Sequence, residues 1–458
     1  MSNQSIYDSF RKAYPEFVYE RYGYDVQSDG LHIVFTFRIG HHRFTPDAFF
    51  PARPFLHFDF QPHALDTLVF NIGMIELVSY WKAFCPPQVT IACGTLDDEQ
   101  KAFWKKVYYN GLGEFFYRNG IVTTMDDFME IVCSDESIKP SITQAINHSN
   151  NQAIYLVPIG GGKDSVVTLE LLRDLTGQKG AIVPLIMNPR GATLGCIKAA
   201  GYKEEDALIV QRSINPLLLK LNSEGCLNGH TPFSAMLACY SLLASRLSGI
   251  RNIALSNEWS ANESTVVGTS VNHQYSKGLE FENDFRRYAA RFIDPDCNYF
   301  SFLRPLSELQ IAMLFSRHEK YFDVFRSCNA GSKQDVWCGQ CAKCLFAYII
   351  LSPFIPPDRL RSIFGKDMLN DPQMKQFFDE LTGRGETKPF ECVGTVDEVN
   401  AALGMAVDRW YPGHRPCLLA DFNPPASRIP LTSLHTEHNL SNIEFNNLLS
   451  HVQAAAVQ

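Results

Sequence analysis

Between an apolar run and a stretch of helical periodicity the chain reads Ile159-Gly160-Gly161-Gly162-Lys163-Asp164-Ser165. Three consecutive glycines let a backbone turn tightly and bring bare N–H groups against a phosphate, and the following helix adds the positive end of its dipole. Asp164 and Ser165 fall where an N-cap belongs, and the Ser165 hydroxyl can also donate to a phosphate oxygen. Gly160, Gly161, Gly162, Lys163, Asp164 and Ser165 are therefore the expected nucleotide-binding residues. Two common phosphate loops are excluded by spacing. A Walker A loop needs Ser or Thr after its lysine and a glycine where Val157 stands; a dinucleotide fingerprint needs glycine where Ser165 stands.

A second constellation is Cys328, Cys338, Cys341 and Cys344, spaced C-x9-C-x2-C-x2-C. Four thiolates satisfy tetrahedral zinc and leave no open position, so structural zinc is the first expectation. An iron–sulfur cluster also takes four cysteines, and a redox C-x2-C pair is the other rival. The chain has 13 cysteines in all, an odd number, and its polar start at Met1–Arg11 has no apolar signal segment. Reduced thiols and a cytoplasmic location are expected.

The elements that must position these groups follow from periodicity. The run Leu31–Ile39 predicts a strand after a turn at Ser28-Asp29-Gly30; Leu65–Phe84 and Leu96–Tyr117 predict helices, the latter opened by Asp97-Asp98-Glu99. Apolar runs at Ala153–Ile159, Ala181–Met187, Ala207–Val210 and Asn252–Ser256 alternate with helical stretches at Val166–Leu175 and Pro232–Leu247. Alternation of this kind predicts an α/β fold with a doubly wound parallel sheet, its ligands beyond the carboxyl ends of the strands. Three zones are read: an N-terminal α+β domain over 1–150, closing near the polar stretch Asn147–Gln152, a nucleotide domain carrying the four cysteines over 151–351, and a helical and loop extension over 352–458. Of the 458 residues, 45% are hydrophobic and 20% charged, enough apolar mass for full cores. The net charge of −8 carries no global attraction for nucleic acid, and no apolar run is long enough to span a bilayer.

The segment Gly160–Ser165 resembles the PP-loop of ATP pyrophosphatases, Ser-Gly-Gly-x-Asp-Ser, with Gly160 in place of the opening serine. That resemblance implies cleavage of ATP to AMP and pyrophosphate, Mg2+ with the phosphates and Asp164 as a candidate oxygen ligand. In related folds the end of the second strand abuts the adenine, which points to Asn188. Further stretches are Leu68-Val69-Phe70-Asn71-Ile72-Gly73-Met74-Ile75-Glu76-Leu77, Ser79-Tyr80-Trp81-Lys82, Asn110-Gly111-Leu112-Gly113-Glu114-Phe115-Phe116-Tyr117 and Lys388-Pro389-Phe390-Glu391-Cys392-Val393-Gly394. With the loop and the cysteines, they resemble the bacterial UDP-N-acetylmuramoyl-L-alanyl-L-glutamate epimerase family over about residues 15 to 410. The resemblance implies a UDP-linked muramoyl dipeptide as substrate, inverted at its terminal L-Glu during synthesis of a peptidoglycan precursor. Adenylation would explain how the α-proton leaves without pyridoxal phosphate, because it neutralises the adjacent carboxylate and makes the enolate accessible.

The acid/base candidates are Glu258, His273 and Lys277, from the polar stretch after Ser256, together with Cys392. Solvated loop charges are the alternative for the first three, and a small buried apolar side chain for Cys392. Arg190 and Arg304 are candidates to clamp a carboxylate or phosphate, with an ordinary ion pair as the alternative for each. Two other functions stay open: a PP-loop ligase or synthetase acting on a nucleobase-like carboxylate or on tRNA, and a nucleotide sensor that holds ATP without turnover.

Overall fold

The computed structural model describes residues 2–52, 63, 65–134, 154–266, 268–413, 415–425 and 429–457. The boundary stretch Asn147–Gln152 lies outside the described residues. The fold is mixed α/β, in two compact units. One comprises residues 1–152, 208–253 and 270–299; the other comprises residues 153–207, 254–269 and 300–458.

The first unit holds strands β1 (Glu16–Val26), β2 (Gly30–Ile39), β3 (His42–Phe44), β4 (Asp47–Pro51), β5 (Gln88–Ile91) and β6 (Glu130–Cys133). The predicted Leu31–Ile39 strand is β2, which pairs antiparallel with β1, β3 and β4, while β5 runs parallel to both β1 and β6. The helix Asp66–Trp81 is buried around its whole circumference from Thr67 onward, which marks it as the centre of the unit. It packs on β1 and on the helix Phe233–Ser248. A Cβ at Gly73 would lie 1.8 Å from the Tyr19 hydroxyl, so only glycine lets the helix come this close to β1. The expected single helix Leu96–Tyr117 is two helices, Asp98–Gly111 and Gly113–Arg118. The break follows from Gly111-Leu112-Gly113, with Gly111 pressed against the Pro232 ring, where a Cβ would come within 2.6 Å. The first of the two opens with a capping box between Asp97 and Gln100.

The next strands are β7 (Tyr155–Pro158), β8 (Ile182–Met187), β9 (Leu208–Arg212), β10 (Asn252–Leu255) and β11 (Asn298–Ser301). β9 belongs to the first unit and pairs antiparallel with β4, a partner that strand–helix alternation does not foresee. β7 and β8 pair in parallel, with strand order β11-β10-β7-β8. The helix Lys163–Thr176 follows β7 and ends on Gly177 in the left-handed conformation. It packs on the helix Glu308–Phe315, which is buried throughout, as is Ala342–Leu351. Among the described residues no helix is long and apolar enough to cross a membrane.

Candidate functional site

The glycine segment joins β7 to the helix Lys163–Thr176, as the spacing predicts. Gly161 takes φ +83°, and its carbonyl accepts from Arg326 N at 2.8 Å. The N-cap is Gly162, not Asp164 or Ser165. The glycines turn the chain at least two residues sooner than the capping argument assumes, so Lys163 opens the helix and the Ser165 hydroxyl donates to the Gly162 carbonyl at 3.0 Å. The first N–H groups of this helix lack intrahelical partners by geometry, which suits an anion.

Lys163 is buried, and its ammonium bonds the carboxylates of Asp164 and Glu308. Glu308 opens the helix Glu308–Phe315, whose capping box uses Ser307 and Gln310, and its backbone N–H donates to Glu398 at 2.7 Å. Glu258 joins them: one carboxylate oxygen from each of Asp164, Glu258 and Glu308 lies within 4.8 Å of the others. Glu258 Oε2 is buried with no hydrogen-bond partner among the described residues. Burial opposes the charge of Lys163, yet Asp164 and Glu308 hold its pKa above the ordinary value. Burial pushes Glu308 up to about 8 despite Lys163, the charges of Asp164 and Glu258 adding to the rise. Glu398 is likewise raised by burial. One ammonium among several carboxylates does not offset the burial of Glu308, whose neutral form is favoured as like charges in one site require.

Arg304 is fully buried and donates to the Glu258 carbonyl at 2.6 Å and to Ser301 Oγ at 3.2 Å, so it braces the backbone that carries Glu258. The Lys388–Gly394 stretch braces the same loop. Lys388 N donates to Thr265 O at 3.2 Å, and the buried Lys388 ammonium meets Glu263. Gly394 closes the stretch where a Cβ would lie 2.7 Å from Glu398 Oε2. Cys392 is half-buried in that stretch. Asn188 follows β8 as an exposed residue at φ +50°, and Arg190 is exposed two residues on. The helix Gly191–Ala199 that follows has its N-terminus capped by Asp335, whose carboxylate accepts from Gly191 N at 3.1 Å and Ala192 N at 3.0 Å. Periodicity gives no site signal for Glu308 or Glu398. Their Ser307-x-x-Gln310 and Thr395-x-x-Glu398 patterns read only as helix caps.

None of the 13 cysteines is in a disulfide. Cys328, Cys338, Cys341 and Cys344 converge, with sulfur separations of 3.8 Å for Cys328–Cys341, 3.7 Å for Cys338–Cys344 and 3.5 Å for Cys341–Cys344. Sulfurs at about 2.3 Å from a tetrahedral ion stand about 3.8 Å apart, so the four fit a metal and are too far apart to be disulfides. Backbone N–H groups of Gly331 and Gln340 point at Cys328 and Cys338.

His273 and Lys277 lie in the first unit, in the segment before the helix Leu279–Phe292, and His273 Nδ1 stands 2.5 Å from Glu114 Oε2.

A mixed α/β chain with a glycine turn over a lysine–carboxylate cluster and a four-thiol centre is the class these features define. Comparison with known proteins narrows it. The MurL N-terminal domain family matches residues 9–302 and the MurL C-terminal domain family matches residues 324–419. A UDP-N-acetyl-alpha-D-muramoyl-L-alanyl-L-glutamate epimerase of Xanthomonas oryzae pv. oryzae (strain MAFF 311018) is 35% identical over 369 residues, covering 78% of each chain. Proteins of the same name from a Micromonospora strain and from Salinispora tropica are 35% and 36% identical, covering 74% and 73% of this chain and 75% and 72% of their own. No solved structure matches the chain. The chain belongs to the MurL family.

Proposed function

We propose that this chain is an ATP- and Mg2+-dependent epimerase of the PP-loop class. It inverts the terminal L-Glu of a UDP-N-acetylmuramoyl dipeptide through a carboxyl adenylate, releasing AMP and pyrophosphate. The substrate comes from the names of its relatives. The ATP chemistry is carried by one observation: the glycine turn at the head of a helix sits directly on the Lys163–Asp164–Glu258–Glu308 cluster.

In this reading the backbone of Gly160–Gly162 and the helix N-terminus cradle phosphate, and Lys163 places a positive charge beneath it. The excess of buried carboxylate and the orphaned Glu258 oxygen fit a hard divalent cation, so Asp164, Glu258 and Glu308 would hold Mg2+. When bound, Mg2+ supplies charge neutralisation at the phosphates. Glu258 thereby moves from the acid/base candidates to the cation site. Asn188 and Arg190 follow β8 as candidates for the adenine and substrate sides, and Arg304 serves by holding Glu258 in place. Cys328, Cys338, Cys341 and Cys344 would hold a structural Zn2+, whose contribution is to tie the 328–344 loop to the helix Ala342–Leu351. The substrate is a small anionic molecule, and the protein needs neither nucleic acid nor a bilayer.

The test is turnover with ATP, Mg2+ and UDP-muramoyl-L-Ala-L-Glu in deuterated water, following pyrophosphate, α-deuterium and product chirality. AMP, pyrophosphate and α-deuterated D-Glu product are expected. Pyrophosphate without α-deuterium would mean a ligase, and no pyrophosphate would remove the ATP chemistry.

A further inference from the structure

The ammonium of Lys163 is engaged by two carboxylates, Asp164 and Glu308. A second lysine of the same unit is not. Lys343 stands between Cys341 and Cys344 in the first turn of the helix Ala342–Leu351. It is 7% exposed, yet among the described residues its ammonium makes no hydrogen bond and no ion pair. The ammonium lies over the Phe346 ring, 5.2 Å from the centroid. A buried charge without an opposite charge is costly, and such an arrangement suits a site whose ligand brings the missing charge.

The surroundings place this lysine beside the carboxylates. A Cβ at Gly394 would lie 3.2 Å from both the Phe346 ring and Glu308 Cγ, so the ring beneath Lys343 and the stem of Glu308 flank the same glycine. The Lys343 charge is felt at Glu308, where it opposes the rise that burial causes. The helix Ala342–Leu351 packs on Glu308–Phe315, which packs in turn on Lys163–Thr176, the helix that the glycine turn opens.

The four-thiol centre links this cation to the phosphate cradle. On one side, Arg326 N donates to Gly161 O at 2.8 Å, and a Cβ at Gly162 would lie 3.4 Å from Ser327 Cβ. The chain entering Cys328 therefore rests on the glycine turn. On the other side, Cys341 is the N-cap of the helix Ala342–Leu351, and Cys344 lies in its first turn. A metal ion shared by Cys328, Cys341 and Cys344 would lock the two sides at a fixed separation.

Charge selects the ligand. Asp164, Glu258, Glu308 and Glu398 make the cluster rich in carboxylate, which repels a polyphosphate unless cations intervene. A lysine with no carboxylate of its own suits the part of a nucleotide whose negative charge grows during cleavage.

We propose that Lys343 binds the departing pyrophosphate and that the four-thiol centre holds it in position to do so, an assignment that rests on the ATP chemistry proposed above. As the substrate carboxylate oxygen bonds to the α-phosphorus, the bond from that phosphorus to its bridging oxygen breaks. The electron pair of that bond leaves with pyrophosphate. Lys343 donates hydrogen bonds to the pyrophosphate oxygens and keeps its protons. The four cysteines are positioning residues for this contact.

The experiment titrates pyrophosphate with Mg2+, and separately AMP, into the full chain by calorimetry, with metal content and Tm measured on each protein. Lys343→Met keeps the apolar stem over Phe346 and removes the ammonium. It should bind pyrophosphate about 10- to 100-fold more weakly, the worth of a charged hydrogen bond, with AMP affinity unchanged. Its metal content should match wild type and its Tm should not fall, because the ammonium has no ion-pair partner to lose. Lys343→Arg should retain more of the pyrophosphate affinity than Lys343→Met. Cys341→Ser should lose pyrophosphate affinity in step with its metal. Wild-type pyrophosphate affinity in Lys343→Met overturns the proposal. So does equal weakening of AMP and pyrophosphate with a lowered Tm, which would make Lys343 structural. Full pyrophosphate affinity in metal-depleted Cys341→Ser overturns the positioning role of the thiol centre. If wild type binds neither pyrophosphate nor ATP with Mg2+, the ATP reading itself fails and takes Lys343 with it.

Discussion

Gly161→Ala separates what the glycine loop does for the fold from what it does for phosphate. Gly161 sits at φ +83°, where an L side chain is strained by about 1–2 kcal/mol. An alanine Cβ there would also lie 2.9 Å from Ala192 Cβ and 3.0 Å from both Ala192 C and Thr193 N. Two of these three are backbone atoms at the start of the helix Gly191–Ala199, which cannot swing aside like a side chain. Overpacking of that kind costs about 1–3 kcal/mol, so the sum is about 2–5 kcal/mol. For a unit of this size each kcal/mol lowers Tm by about 2–4 °C. A drop of several degrees in a thermal melt is expected, with loss of pyrophosphate release. Gly160→Ala is the control. Its Cβ would meet nothing within 4 Å and its φ is not in the left-handed region, so the melt should stay unchanged while any loss of pyrophosphate release reports the approach of phosphate alone. An unchanged Tm in Gly161→Ala would refute the steric reasoning. Full pyrophosphate release in both variants would take the loop out of the chemistry.

Other perturbations test the rest of the molecule. Cys341→Ser should reduce bound zinc, read by elemental analysis, and lower Tm; an unaltered metal-to-protein ratio would contradict the four-thiol centre. Arg212 in β9 makes a two-point bond to Glu76 at 2.5 and 2.7 Å, and Tyr240 donates to the same carboxylate at 2.8 Å. Glu76→Leu alone should cost about 3–5 kcal/mol in denaturant melts, whereas adding Arg212→Met should recover most of it. No recovery would mean the pair has a role beyond mutual neutralisation. The buried Glu170 accepts from Tyr321 and pairs with Arg173 and Lys320; burial raises it, but these partners hold it below the ordinary carboxylate value. Its stabilisation is therefore full above the unfolded-state value and disappears as pH falls through the lower folded value. Glu170→Gln should be less stable at pH 7 and lose less on acidification below about pH 4.3, and parallel pH curves for the two proteins would rule this out.

Much of the geometry of the candidate site was legible in the sequence because it is local. Three glycines between a strand and a helix dictate a turn, and four cysteines at short spacing can bring their sulfurs together; in both, neighbours in sequence are neighbours in space. The strands and helices were readable for the same reason, as β2, β7, β8 and the helix Lys163–Thr176 attest. What tertiary structure decided is which distant groups share a low-dielectric pocket. Glu258 and Glu308 come together at Lys163, and Glu114 and His230 at His273, from segments far apart along the chain. No periodicity marks a carboxylate that will lose its water. The pull of one charge on another becomes strong enough to set protonation only once packing has excluded the solvent between them.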